Sequence, residues 1–153
     1  MNWINFLHFY QPPTSSDAEI HQVVKDSYQP WVEFLNKHSQ LKITLNFTAC
    51  LTEKLFNLGY KKLLQDFTEL AQRGQIEFVE SAAFHPILPL LPEKEIRKQI
   101  QINKDINSRR FGSVYSPCGF FIPEMAYSDK VAKIIKDLGY EYILLDEISL
   151  QSK

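Results

Sequence analysis

Five short apolar runs, each followed by a segment of helical periodicity, constrain this chain more than any other feature. The runs are Trp3–His8, Lys42–Thr48, Ile76–Glu80, Phe120–Ile122 and Tyr142–Asp146. Lys42–Thr48 alternates with a period of two, while the others are nearly continuous in apolar residues. Such runs read as strands buried on both faces. Between them, Ser16-Asp-Ala-Glu19 is a capping-box pattern that opens a short helix through Val23 and Val24. Pro30 suits the first position of a second short helix that carries Trp31, Phe34 and Leu35 on one face. A longer helix places Leu63, Leu64, Phe67, Leu70 and Ala71 on one side and ends at Gly74. After a proline-punctuated loop, Pro86 to Pro92, comes a helix marked by Ile96, Ile100 and Ile106. Ser128 caps a last helix carrying Val131, Ile134, Ile135 and Leu138, which Gly139 ends. The order β-α-β-α-β-α-β-α-β predicts an α/β fold with a mostly parallel sheet. No linker, repeat or low-complexity tract interrupts it, so residues 1–153 form one domain or part of one.

The chain has 153 residues, 44% hydrophobic and 13% aromatic, enough for one buried core. A formal net charge of −1 gives no electrostatic reason to expect nucleic acid or an anionic membrane as partner. No basic leader precedes an apolar stretch, and nothing approaches the roughly 18 apolar residues of a membrane span. A soluble, cytoplasmic protein is expected. Cys50 and Cys118 lie far apart, so two buried thiols in a reducing compartment are favoured over one disulfide.

In a parallel sheet all strand C-termini share one rim, where catalytic groups gather. His8 ends the first strand, His85 follows the third, and Glu124 follows Phe120-Phe-Ile-Pro just before the Ser128 helix start. All three should meet on that rim. Either histidine alone reads first as a hydrogen-bonded structural residue, and Glu124 alone reads equally as a solvated loop carboxylate. Phe9, Tyr10, Phe84 and Tyr127 beside these groups would suit a sugar, whose C–H faces stack on rings. His8, His85 and a carboxylate could instead ligate Zn²⁺, though no short His-x-x-x-His spacing supports it. The sequence holds no Gly-rich phosphate loop and no serine nucleophile elbow.

Leu7-His8-Phe9-Tyr10-Gln11-Pro12 resembles the first conserved region of glycoside hydrolase family 57, the α-amylase and 4-α-glucanotransferase family. Arg73-Gly-Gln-Ile-Glu-Phe-Val, running on to Phe84-His85-Pro86, resembles the region around that family's third strand. Gly119-Phe-Phe-Ile-Pro-Glu124-Met-Ala-Tyr127 resembles the region carrying its nucleophile, and Gly139-Tyr-Glu-Tyr-Ile-Leu-Leu-Asp146 fits the strand that follows. The resemblance runs from about Trp3 to Leu150, with the motifs in order.

It implies a parallel-stranded (β/α)7 barrel acting on α-glucans with retention of configuration, of which this chain supplies about five βα units. Glu124 falls on the nucleophile position, making it the catalytic candidate. His8, Tyr10, Gln11, His85 and Tyr127 are the substrate-binding candidates. That chemistry uses no metal and no cofactor. Three departures stand out. Tyr10 replaces the second histidine of the first region, and His85 stands where glucanotransferases have Glu in a Tyr-Glu-Pro pattern. The family's acid/base is an Asp on a later strand, beyond residue 153. Residues 1–153 are thus expected to be the N-terminal portion of an incomplete catalytic barrel, partnered by the missing C-terminal half or by self-association. Asp146 reads mainly as a loop-start carboxylate. The alternatives are a truncated, non-catalytic carbohydrate-binding fragment and a metal-dependent enzyme resembling polysaccharide deacetylases.

Overall fold

The computed structural model describes residues 4–150. Strands β1 (Phe6–Phe9), β2 (Ile43–Phe47) and β3 (Ile76–Val79) run parallel in that order, with His8 opposite Asn46 and Asn46 opposite Val79. Strands β4 (Gly119–Phe121) and β5 (Tyr142–Leu144) form a second parallel pair. A single parallel bridge joins the two groups, with the Glu80 N–H donating to the Gly119 carbonyl (2.9 Å) and the Phe121 N–H to the Glu80 carbonyl (2.8 Å). Spatial order therefore equals chain order. A doubly wound sheet would reverse order at a switch point, so this succession of parallel strands is the winding of a barrel sector. The first strand lies slightly later than expected. Trp3, which the sequence reading places at its start, lies outside the described residues. The fifth strand stops at Leu144 rather than Asp146.

Helices cover the outer face. Helix α1 (Asp17–Val23) starts at the expected capping box: Ser16 Oγ accepts from the Glu19 N–H, and Glu19 Oε2 accepts from the Ser16 N–H at 2.6 Å. The two short helices expected before β2 are one run. A π-helical turn, Val24–Tyr28, carries α1 directly into α2 (Gln29–Lys37), with Pro30 at its second residue. The extra residue of a π turn rotates the following face by about 100°. Val32 and Leu35 are consequently the buried pair, while Trp31 is half-buried and Phe34 exposed.

Helices α3 (Ala49–Asn57) and α4 (Lys61–Gln72) follow β2, and the buried Leu63, Leu64, Phe67 and Leu70 of α4 match the sequence pattern. In the long α5 (Glu93–Phe111), Ile96 and Ile100 are buried as expected, but Ile106 is only half-buried. Asn103 and Asn107 occupy the inward positions instead, and both are fully buried. They face backbone that needs polar partners. Asn103 Oδ1 accepts the Ala49 N–H (2.7 Å), one of the orphan donors that begin α3. Asn107 Nδ2 donates to the Phe47 carbonyl at the end of β2 (2.8 Å), and its Oδ1 accepts the Thr52 hydroxyl (2.7 Å). Helix α6 (Asp129–Asp137) is capped by Ser128 as expected, and Gly139, at φ 90°, lets the chain leave it in a left-handed conformation.

Two apolar clusters form the core between sheet and helices. The larger is built around Phe9, Phe47, Phe67 and Phe111, the smaller around Leu88, Ile96, Phe120 and Ile135. Both cysteines are free, but only Cys50 is partly covered. Cys118, one residue before β4, is exposed, which corrects the expectation of two buried thiols. No helix among the described residues is long and apolar enough to cross a membrane.

Candidate active site

Side chains alternate along a strand, so consecutive residues serve opposite layers. On β1, His8 turns toward the sheet's inner side, where its ring lies 4.8 Å from that of Phe121. Phe9 turns to the helices and packs on Tyr28 (4.4 Å), Phe47 (5.1 Å) and Phe67 (5.7 Å). Phe9 is thus a core residue rather than the sugar platform expected from its place beside His8.

The His8 tautomer follows from its neighbours. Asn46 commits its amide nitrogen to the Val79 carbonyl (2.9 Å), so its oxygen is what faces His8 Nδ1, at 2.8 Å. Nδ1 therefore carries the proton and Nε2 presents a lone pair. Nε2 is buried and has no hydrogen-bond partner among the described residues. Burial pushes the His8 pKa down to about 4, against a smaller upward pull from Asn46, so the ring is neutral near pH 7.

His85 lies beside it. Its ring centroid is 4.6 Å from that of His8 and 4.5 Å from that of Tyr10, and Tyr10 lies 5.8 Å from His8. The three rings form one cluster, with Phe121 against its side, 6.2 Å from His85. From this cluster His85 Nε2 reaches Glu124 Oε1 at 3.0 Å. The His85 side chain is 6% exposed and that of Glu124 65%, so the contact joins a fixed ring to a carboxylate open to solvent. Burial lowers the His85 pKa, with Glu124 pulling the other way.

Backbone conformation marks the same place. Among the described residues, the non-glycine residues with positive φ are His85 (54°), Glu124 (57°) and Met125 (51°). Each costs roughly 1–2 kcal/mol relative to a right-handed conformation, and such strain gathers where surrounding structure enforces a functional geometry. Glu124 occupies a 3₁₀ turn, Pro123–Met125, directly after β4, with the Met125 N–H closing on the Ile122 carbonyl at 2.8 Å.

His8, Tyr10, His85 and Glu124 are therefore brought together, on the C-terminal side of β1, β3 and β4. Gln11 and Tyr127 take other partners. The Gln11 side chain bonds Tyr28, and the Tyr127 hydroxyl donates to Asp129 Oδ1 at 2.8 Å. Phe84 is 47% exposed, and Asp146 accepts the Ile148 N–H at 3.0 Å, as a loop-start carboxylate does. Among the described residues no group of three His, Cys, Asp or Glu side chains is arranged to hold a metal ion, so the zinc alternative has no ligand set there.

Sequence reasoning passed over Glu80. It is fully buried just past β3. Its Oε1 accepts from Asn103 Nδ2, from the Tyr115 hydroxyl (2.9 Å) and from the Ser81 N–H (3.1 Å), and Oε2 accepts from the Tyr140 hydroxyl at 3.2 Å. Burial outweighs these donors and holds its carboxyl above the usual carboxylate range. The available signal was the i, i+4 pair Asn103 and Asn107 in line with Ile96 and Ile100 on one helix face. Two amides there announce a buried polar partner.

The carboxylate and ring cluster lie at the strand C-termini, the rim where parallel (β/α) barrels carry their functional groups. The family model for glycosyl hydrolase family 57 matches residues 3–153. The chain is 32% identical over 142 residues to α-amylase 1 of Dictyoglomus thermophilum, a match covering 92% of this chain and 20% of that protein. It is 27% identical over 154 residues to the 4-α-glucanotransferase of Thermococcus litoralis, covering 99% of this chain and 22% of that one. The crystal structure of 4-α-glucanotransferase from that organism superposes with a TM-score of 0.88 at 26% identity, over 95% of this chain and 23% of the other. The chain belongs to glycosyl hydrolase family 57. Its five strands are the partial (β/α)7 barrel that the sequence resemblance implies. It spans about a fifth of the length of these curated relatives.

Proposed function

We propose that this chain is the N-terminal portion of a retaining catalytic barrel acting on α-glucans, as a hydrolase or a transglycosidase. Glu124 is its nucleophile. The reading rests on the Glu124 carboxylate, held at 3.0 Å by a buried histidine and open to solvent, in a chain of this family. Retention requires two carboxyl groups about 5–5.5 Å apart, one attacking the anomeric carbon and one protonating the leaving oxygen. The second is the Asp that the resemblance places on a later strand. Tyr10, stacked on His8 and His85, offers a ring face to a sugar. Gln11 and Tyr127 flank that cluster in sequence and complete the proposed substrate contacts. The unpaired cysteines fit a cytoplasmic setting.

A glycosyl fluoride tests this without the missing acid, because fluoride departs unprotonated. Incubation with 5-fluoro-α-D-glucosyl fluoride should add one glycosyl group to Glu124, read by intact-mass and peptide mass spectrometry and absent in Glu124→Gln. Attachment elsewhere overturns the nucleophile assignment. Binding of maltooligosaccharides without labelling would favour the second reading, a non-catalytic carbohydrate-binding role.

A further inference from the structure

We propose that His85 is a positioning residue that fixes which oxygen of Glu124 attacks: its Nε2–H holds Oε1, leaving Oε2 as the atom that bonds to the anomeric carbon. This rests on the reading of Glu124 as nucleophile. At 3.0 Å, an imidazole lone pair facing an ionised carboxylate oxygen would be repulsive, so the proton must sit on Nε2. His85 Nδ1 is then the bare nitrogen, and it is buried with no hydrogen-bond partner among the described residues. The neighbouring His8 has the opposite arrangement, with Nδ1 protonated toward Asn46 and Nε2 bare. Two stacked neutral imidazoles of opposite tautomer thus have different tasks. His8 donates to the Asn46 amide within the sheet, and His85 donates to the exposed carboxylate of Glu124.

The geometry makes the donor rigid. Tyr10 and His8 contact the His85 ring at 4.5 and 4.6 Å, and its own left-handed backbone sets the direction of its side chain. Glu124, largely exposed, has no comparable packing, and among the described residues its side-chain hydrogen bond runs to His85. A carboxylate tied at one oxygen keeps a single orientation, while the other oxygen retains its full electron density for attack. In the covalent step Oε2 forms the bond to C1. The C1–leaving-group bond breaks, and its electron pair departs with the leaving atom. His85 keeps its proton throughout, so it acts on the nucleophile's orientation rather than as an acid or base.

Long-range ¹H–¹⁵N NMR of the ¹⁵N-labelled chain reads both tautomers directly. His85 should show a protonated Nε2 and a bare Nδ1, and His8 the reverse. In Glu124→Ala, the His85 Nε2–H resonance should shift and the tautomers mix, while His8 stays unchanged. A His85 carrying its proton on Nδ1, or one indifferent to Glu124→Ala, overturns the proposal whatever the labelling result. Labelling rates with the glycosyl fluoride supply the functional arm. His85→Phe keeps a stacked ring without the donor and should slow labelling by roughly tenfold or more; His85→Gln restores an N–H and should recover to within about threefold of wild type. Equal labelling of His85→Phe and wild type overturns the positioning role while leaving Glu124 as nucleophile. Failure of the wild type to label removes the nucleophile reading, and with it the attacking-atom assignment.

Discussion

His8 shows how one buried ring couples the site to stability. Burial holds its pKa at about 4 in the folded chain, against 6.5 for an ordinary histidine. Between those values the unfolded chain binds a proton that the folded chain does not. Its contribution is therefore complete above pH 6.5 and is lost as the pH falls toward 4. The ring is partly open to solvent, which reduces the effect to about 1–2 kcal/mol over that window. His8→Phe should flatten this part of the stability profile. Urea unfolding at pH 7 and pH 4.5 measures it, and a wild-type-to-variant difference that is the same at both values would show that burial of this ring does not govern the slope. Met125, at φ 51°, offers a second measurement. Met125→Gly should gain about 0.5–1 kcal/mol if its left-handed conformation is strained, readable as a raised Tm.

Among elements, α5 carries the least expected burden. Asn103 and Asn107 link the ends of β2 and β3 to the start of α3; the Tyr115 hydroxyl is their common partner, and Glu80 takes Asn103 and Tyr115. Glu80→Ala strands several buried donors and should cost about 3 kcal/mol or more, whereas Glu80→Gln keeps the shape, sheds a buried charge and should stay within about 1 kcal/mol. Comparable losses in both variants under denaturant titration would mean that the charge itself holds the seam. The strands, the Ser16 and Ser128 caps and the α4 face were legible because periodicity and capping are local. The inward asparagines were not, since an amide on a helix face reads as outward until its backbone partner is known. The π turn hid because Pro30 looks like a start signal rather than a residue tolerated inside a continuing helix. At the site, His8, His85 and Glu124 were legible from their places at strand ends. Phe121 joining the rings, and Phe9 leaving them, depended on the face each strand turns inward.

At the scale of the whole molecule, β1 and β5 each have a strand neighbour on one side only among the described residues. Open parallel edges recruit further strands, so the chain should associate with itself or with the rest of a barrel. Sedimentation velocity should show mass rising with concentration; a monomer at every concentration tested would show that these edges are blocked. The single Glu80–Phe120 bridge has a different consequence. His8, Tyr10 and His85 belong to the three-stranded group, and Glu124 follows β4 of the other. The joint between the groups rests on two backbone hydrogen bonds of Glu80, so movement there should precede movement within either strand group. Breathing there leaves each strand group whole but changes the span between the imidazole and the carboxylate. On the proposed reading of Glu124 that span would act as a vernier: a clamp on the joint would set the aim of the carboxylate without touching the carboxylate itself.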